Sequence, residues 1–103
     1  MMITTIALSS CKKTKNERML IDKWEVVFEE NTGLNIGDEF KFKRDKTVDY
    51  KLISGEEGWG TWNISGNNIV FTGPHTIKSN ISEFTRKTLH IKSTRLELIL
   101  EKK

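Results

Sequence analysis

The feature that most constrains this chain is a period-two alternation of apolar and polar residues, restarting about every ten residues from Met19 onward. Successive side chains of a strand point to opposite faces, so such alternation builds a half-buried β-strand and does not suit a helix. Trp24, Val26 and Phe28 share one face of the segment Trp24-Glu25-Val26-Val27-Phe28-Glu29. Phe40-Lys41-Phe42-Lys43 alternates apolar inward and basic outward, and Val48, Tyr50 and Leu52 are in phase in the next segment. Trp62 and Ile64 follow, then Ile69-Val70-Phe71-Thr72, Ile81 to Phe84, Leu89-His90-Ile91 and Leu96-Glu97-Leu98-Ile99-Leu100. His75-Thr76-Ile77 reads as a further short strand, interrupted by Lys78-Ser79-Asn80.

Turn residues separate these segments. Glu30-Asn31-Thr32-Gly33, Arg44-Asp45-Lys46 and Ser54-Gly55-Glu56-Glu57-Gly58 each read as a break. Ser65-Gly66-Asn67-Asn68 is a strong hairpin signal, because Gly and Asn tolerate the positive φ of tight β-turns. Pro74, after Gly73, is the one proline. The pattern predicts one antiparallel all-β domain of about eight short strands, a sandwich or barrel joined by hairpins. Barrel closure is favoured because it removes unpaired edges.

Cys11 is the one cysteine of the 103 residues, so no internal disulfide is available and packing alone makes the core. The candidate inward aromatics Trp24, Phe28, Phe40, Phe42, Tyr50, Trp62 and Phe71 supply that packing, or line a pocket for a small apolar molecule. Trp59, between Gly58 and Gly60, has no obvious partner and is expected at a barrel mouth, either as a rim contact for a ligand or partner or as a simple loop anchor.

Leu8-Ser9-Ser10-Cys11 matches the pattern read by the bacterial lipoprotein peptidase. On that reading residues 1–11 are a signal peptide ending in the acylated Cys11, 12–19 a basic tether and 20–103 the folded domain. The protein is then held by acyl chains in the cell envelope, at the outer membrane facing the periplasm, since no acid follows Cys11 before Glu17. No apolar run approaches the roughly 20 residues of a spanning helix.

The charge distribution supports a tether. The chain has 17 basic and 14 acidic side chains, a net +3, but residues 1–18 hold four of the former (Lys12, Lys13, Lys15, Arg18) and only Glu17 of the latter. The 13 of each sign from Met19 onward cancel, so the domain lacks the positive surface a nucleic-acid binder needs. Lysines beside an acylated cysteine suit anionic lipid headgroups.

No catalytic set can be assembled. His75 and His90 lack neighbouring Cys-x-x-Cys or His-x-His ligands, and Glu29-Glu30, Asp38-Glu39 and Glu56-Glu57 lack the oxygen-ligand spacing of a calcium loop. No Gly-rich phosphate loop or nucleophile elbow is present. The expectation is a protein that is not an enzyme and needs no metal or cofactor.

A family resemblance covers most of the chain. Leu20-Ile21-Asp22-Lys23-Trp24, Phe40 to Val48, Gly60 to Ile69 and Ile81 to Ile91 resemble, in order and spacing, the small lipocalin-like domains of Bacteroidetes-type lipoproteins. The resemblance implies an up-and-down barrel and an envelope habitat. It also suggests a small hydrophobic ligand in or at the mouth of the barrel, with a structural or protein-interaction module as the alternative. Larger lipocalins open with Gly-x-Trp, where this chain has Asp22-Lys23-Trp24, and place an arginine over that tryptophan, a part Arg95 is expected to play.

Overall fold

The computed structural model describes residues 14–103. The expected signal peptide, the acylation site Cys11 and the first tether residues lie outside that range. Within it the alternating segments become eight strands: β1 (Lys23–Glu30), β2 (Glu39–Phe42), β3 (Thr47–Lys51), β4 (Glu57–Ser65), β5 (Asn68–Thr72), β6 (Thr76–Phe84), β7 (Thr88–Lys92) and β8 (Glu97–Lys102). Each is antiparallel to the next and β8 returns to β1, with Trp24 opposite Lys102, so the sheet closes into an up-and-down barrel.

Two strands turn the corners. β4 pairs β3 over Glu57–Thr61 and β5 over Trp62–Ser65. β6 pairs β5 over Thr76–Asn80 and β7 from Ile81. Lys78-Ser79-Asn80 is therefore no interruption: the expected short strand at His75–Ile77 and the strand at Ile81–Phe84 are one continuous β6. Gly60 marks the β4 corner, where a Cβ would lie only 2.1 Å from the Thr72 carbonyl oxygen. No side chain fits there, so only glycine allows this approach of β5.

The turns follow the residues that were legible as breaks. Gly66 adopts φ +60° between Ser65 and Asn68, which face each other across the hairpin. At the β2–β3 turn Lys46 takes φ +71°, unusual for a residue with a Cβ. Asp45 steadies that turn by accepting from the Thr47 amide and hydroxyl.

One end of the barrel is closed by a helix. Residues 15–19 of the expected basic tether, together with Leu20, form α1 (Lys15–Leu20). Thr14 accepts from the Glu17 amide while the Glu17 carboxylate accepts from the Thr14 amide, a capping box that compensates for the shortness of the helix. Leu20 is fully buried, and its carbonyl accepts from Trp24 Nε1 at 2.9 Å. Glu17 also pairs with Lys46 Nζ, which reaches Asn63 Oδ1 at 3.1 Å and lies 4.7 Å from the centre of the Trp62 ring.

The opposite end is closed by the β1–β2 loop. Its Leu34 is buried, and the fully buried Asp38 carboxylate accepts from the Asn35 amide at 2.8 Å and the Ile53 amide at 2.9 Å. One carboxylate thus ties this loop to the β3–β4 turn, and both of its oxygens are satisfied by backbone donors.

Two expectations fail here for identifiable reasons. Phe28 is 40 % exposed, because a bulge sets Val26 opposite Leu100 but Phe28 opposite Ile99. One extra residue in β1 reverses the phase after Val26, turning Phe28 outward and Glu29 toward the loop end. Arg95 does not cover Trp24. It sits beyond the far end of β8, where its carbonyl accepts from Asn31 Nδ2, and Lys102 Nζ lies 5.4 Å from the Trp24 ring instead.

Candidate functional site

The barrel interior holds most of the candidate aromatics. Trp24, Phe40, Phe42, Trp62 and Phe71 are brought together there, each at most 2 % exposed. Phe71 meets Phe40 at 5.4 Å and Phe42 at 5.3 Å between ring centres, both nearly perpendicular, and Phe42 meets Trp62 at 6.2 Å in the same manner. Such edge-to-face contacts add stability beyond area burial. Tyr50, half-buried, extends the cluster to the loop end against Phe40. Val26, Val48, Ile64, Ile69, Leu89 and Leu98 fill the space around the rings. The candidate lining residues thus pack on one another.

Aliphatic and aromatic side chains plug the barrel from Leu20 at the helix end to Leu34 at the loop end. Among the described residues, one buried side-chain polar atom is without a partner: the hydroxyl of Ser79 on β6. Hollows of about 180, 280, 340 and 560 Å³ are lined mostly by outward-facing or rim residues. These hollows lie on the exterior of the barrel.

Trp59 stands out on that exterior. It lies within β4, opposite Asp49, and not in the mouth loop expected from its flanking glycines. Its neighbours Gly58 and Gly60 take the inward positions of the strand, so the indole is directed away from the core and is 69 % exposed. With Lys43, Asp45, Thr47 and Asp49 it lines the hollow of about 340 Å³. Lys43 Nζ and Asp49 Oδ2 are 3.1 Å apart across it. The Thr47 side chain, followed by the Thr47 amide, holds the Asp45 carboxyl below its ordinary range, so it is an anionic acceptor at neutral pH.

A second exposed feature lies at the loop end. Ile36 and Ile53 are 61 % and 62 % exposed. The Ile53 side chain lies over Gly37, close enough that a Cβ there would come within 2.8 Å of it, so Asp38 gathers two exposed isoleucines at one tip. Sequence alternation carried no sign of this, since neither residue is in a strand.

The two histidines are apart. His90 Nε2 meets Glu97 Oε2 at 2.7 Å on the outer wall, and the His75 ring packs over Gly33 at the loop end. Among the described residues no group of three or more His, Cys, Asp or Glu side chains is placed to hold a metal ion.

No protein-family model and no curated protein sequence matches the chain. Among solved structures, a lipocalin-like protein from Bacteroides uniformis shares the fold, with a TM-score of 0.63 over 82 % of this chain and 99 % of that one, at 12 % identity. At that identity the likeness speaks to architecture alone. The chain has a lipocalin-like fold: an eight-stranded antiparallel closed barrel.

Proposed function

We propose that this protein is a cell-envelope lipoprotein, anchored through acyl chains on Cys11, whose filled lipocalin-like barrel acts as a protein-interaction module. The observation that carries the reading is the interior, which is occupied by the protein's own side chains from Leu20 to Leu34. A lumenal carrier needs room, and an eight-stranded barrel is only just wide enough to choose between packing and one small ligand. The aromatic cluster supports the packed alternative. The surface is then left to do the work.

Geometry supports an orientation. Thr14, which caps α1 at the helix end, follows Cys11 by three residues, a reach of roughly 10 Å at most. The helix end therefore faces the membrane and the Ile36–Ile53 tip points away from it. Two exposed isoleucines fixed by a buried carboxylate form a small, preorganised apolar contact, the kind of central anchor protein interfaces use.

The test is photo-crosslinking in cells from residues 36 and 53, with Phe28 as a control on the side wall. A discrete crosslinked partner from the tip but not from the control is expected, together with release from the membrane fraction on Cys11→Ser. Saturable fatty-acid binding that quenches the buried Trp24 and Trp62 would overturn the filled-barrel reading in favour of a small hydrophobic ligand.

A further inference from the structure

We infer that the outer wall around Trp59 is a binding platform for a neutral glycan. The platform is separate from the tip and from the interior, and its success or failure leaves the reading of the tip intact.

The argument begins with the indole. A tryptophan that is 69 % exposed forgoes most of the burial energy its ring can supply. Trp59 is held in that state by its place in β4, because the inward positions on either side belong to Gly58 and Gly60. The ring cannot turn inward without reversing the strand. It is a fixed apolar surface presented to solvent.

The surroundings identify the occupant. Every other residue lining the hollow is polar or charged: Lys43, Asp45, Thr47 and Asp49. A protein hot spot would surround the aromatic with further apolar side chains, and there are none here. A single-stranded nucleic acid would stack a base on the indole but also needs an excess of cations for its phosphates. Here one lysine faces two carboxylates. A pyranose ring matches what remains. Its C–H face is apolar and covers an indole, and its equatorial hydroxyls are donors and acceptors around the rim.

The polar groups are arranged for that role. Lys43 Nζ and Asp49 Oδ2, 3.1 Å apart, present a cationic donor beside an anionic acceptor, so adjacent sugar hydroxyls can accept from one and donate to the other. Asp45, oriented by the Thr47 hydroxyl and amide, is a second fixed acceptor. Preorganised acceptors lose little freedom when a ligand arrives. The groove also continues. An adjoining hollow of about 180 Å³ shares Asp49 and adds Tyr50 with Lys23, Lys41 and Lys51 balanced by Glu39 and Glu57, so it too has no excess of cations. Two contiguous hollows, one against Trp59 and one against Tyr50, suit a chain of sugars better than a monosaccharide.

The experiment uses tryptophan emission, since Trp24 and Trp62 are buried and Trp59 is exposed, so ligand on the wall perturbs the long-wavelength component alone. The full-length chain carrying Cys11→Ser is titrated with soluble β-linked glucose and N-acetylglucosamine oligosaccharides up to roughly 10 mM, a range that captures weak binding. The expected result is a saturable emission change whose midpoint weakens several-fold in Asp49→Asn. In Trp59→Ala, followed by calorimetry, binding weakens at least about tenfold, and both variants keep the parent melting temperature because the sites are exposed. No saturable response to either sugar series would overturn the inference. So would equal affinity in parent and both variants, or a response to an oligothymidylate that exceeds the response to sugars.

Discussion

Replacing Gly60 by alanine should damage this barrel far more than the same change two residues earlier. A Cβ at position 60 would lie 2.1 Å from the Thr72 carbonyl oxygen, 2.4 Å from its hydroxyl oxygen and 2.7 Å from its carbonyl carbon, where ordinary contact begins at 3.4 Å. The obstacle is the backbone of β5, held on its other side by pairing with Thr76, so it cannot step aside without opening a ladder. Relief also breaks the hydrogen bond from the Thr61 amide to the Thr72 hydroxyl, 2.9 Å long. Overpacking costs about 1–3 kcal/mol and the lost hydrogen bond about 1 kcal/mol. The smaller conformational freedom of unfolded alanine returns about 0.4–1 kcal/mol. The net loss is about 1–3.5 kcal/mol, centred near 2, which for a domain of this size lowers Tm by roughly 5–25 °C. At Gly58 the obstacle is the Tyr50 hydroxyl, 2.5 Å from a built Cβ and at the far end of a half-buried ring that can swing. Gly58→Ala should therefore cost about 1 kcal/mol or less. Thermal melts of both variants, read by far-ultraviolet circular dichroism, decide the matter. If Gly60→Ala is no less stable than Gly58→Ala, the close approach at the β4 corner does not hold the barrel together as argued.

Three further outcomes are expected. The Lys46 ammonium, through its hydrogen bond first and the Thr14 amide second, pulls the Glu17 carboxyl from 4.5 down to about 2, so the folded state favours its anion. The stability from this pair is present above the ordinary carboxylate pKa and is lost as pH falls from about 4.5 toward 2. Solvent screening leaves it on the order of 1 kcal/mol, and the melting difference between the parent and Glu17→Gln should be full at about pH 6 and largely lost at about pH 2. Ser79→Ala removes a buried hydroxyl that has no partner, so denaturant unfolding should show unchanged or increased stability, by up to about 1 kcal/mol. Phe28→Ser on the outer wall should cost less than about 1 kcal/mol, whereas Phe42→Ala among the packed rings should cost about 3–5 kcal/mol; equal losses would contradict the bulge in β1.

The architecture was readable in the residues because barrel strands bury one face and expose the other. Phe40-Lys41-Phe42 and Thr61-Trp62-Asn63-Ile64 carry that asymmetry in plain alternation, and the structure keeps it. Departures arose where a backbone irregularity intervenes. One extra residue near Val27 reverses the phase for Phe28, and no propensity marks a bulge of this kind. β6 was split because a strand that changes partners at a corner needs no apolar continuity through Lys78-Ser79-Asn80. The helix was hidden by its length, although Thr14-x-x-Glu17 is a capping signature that would have revealed it. For the candidate site, the prominence of Trp59 was legible from its isolation between glycines. Its position was not, because placing it beside Asp49 and Lys43 required the register of three strands. The Ile36–Ile53 tip depends on a contact across 15 residues made by Asp38, and no local pattern encodes that.

The join between β1 and β8 has a consequence for how the molecule is assembled. Every other neighbouring pair is also consecutive in the chain, so seven of the eight interfaces can form as local hairpins or meanders. The eighth unites residues 23–30 with residues 97–102, and Lys103 secures it with a 2.7 Å bond to Glu39 and a looser pairing with Glu25. Until that last strand arrives, the sheet is an open ribbon with two sticky margins, and most of the interior has no lid. Such long-range closure is slow compared with hairpin formation. For a chain that must be threaded through a membrane before it matures, as proposed above, this timing is useful. On that proposal, β8 and Lys103 are the clasp that turns a ribbon into a ring.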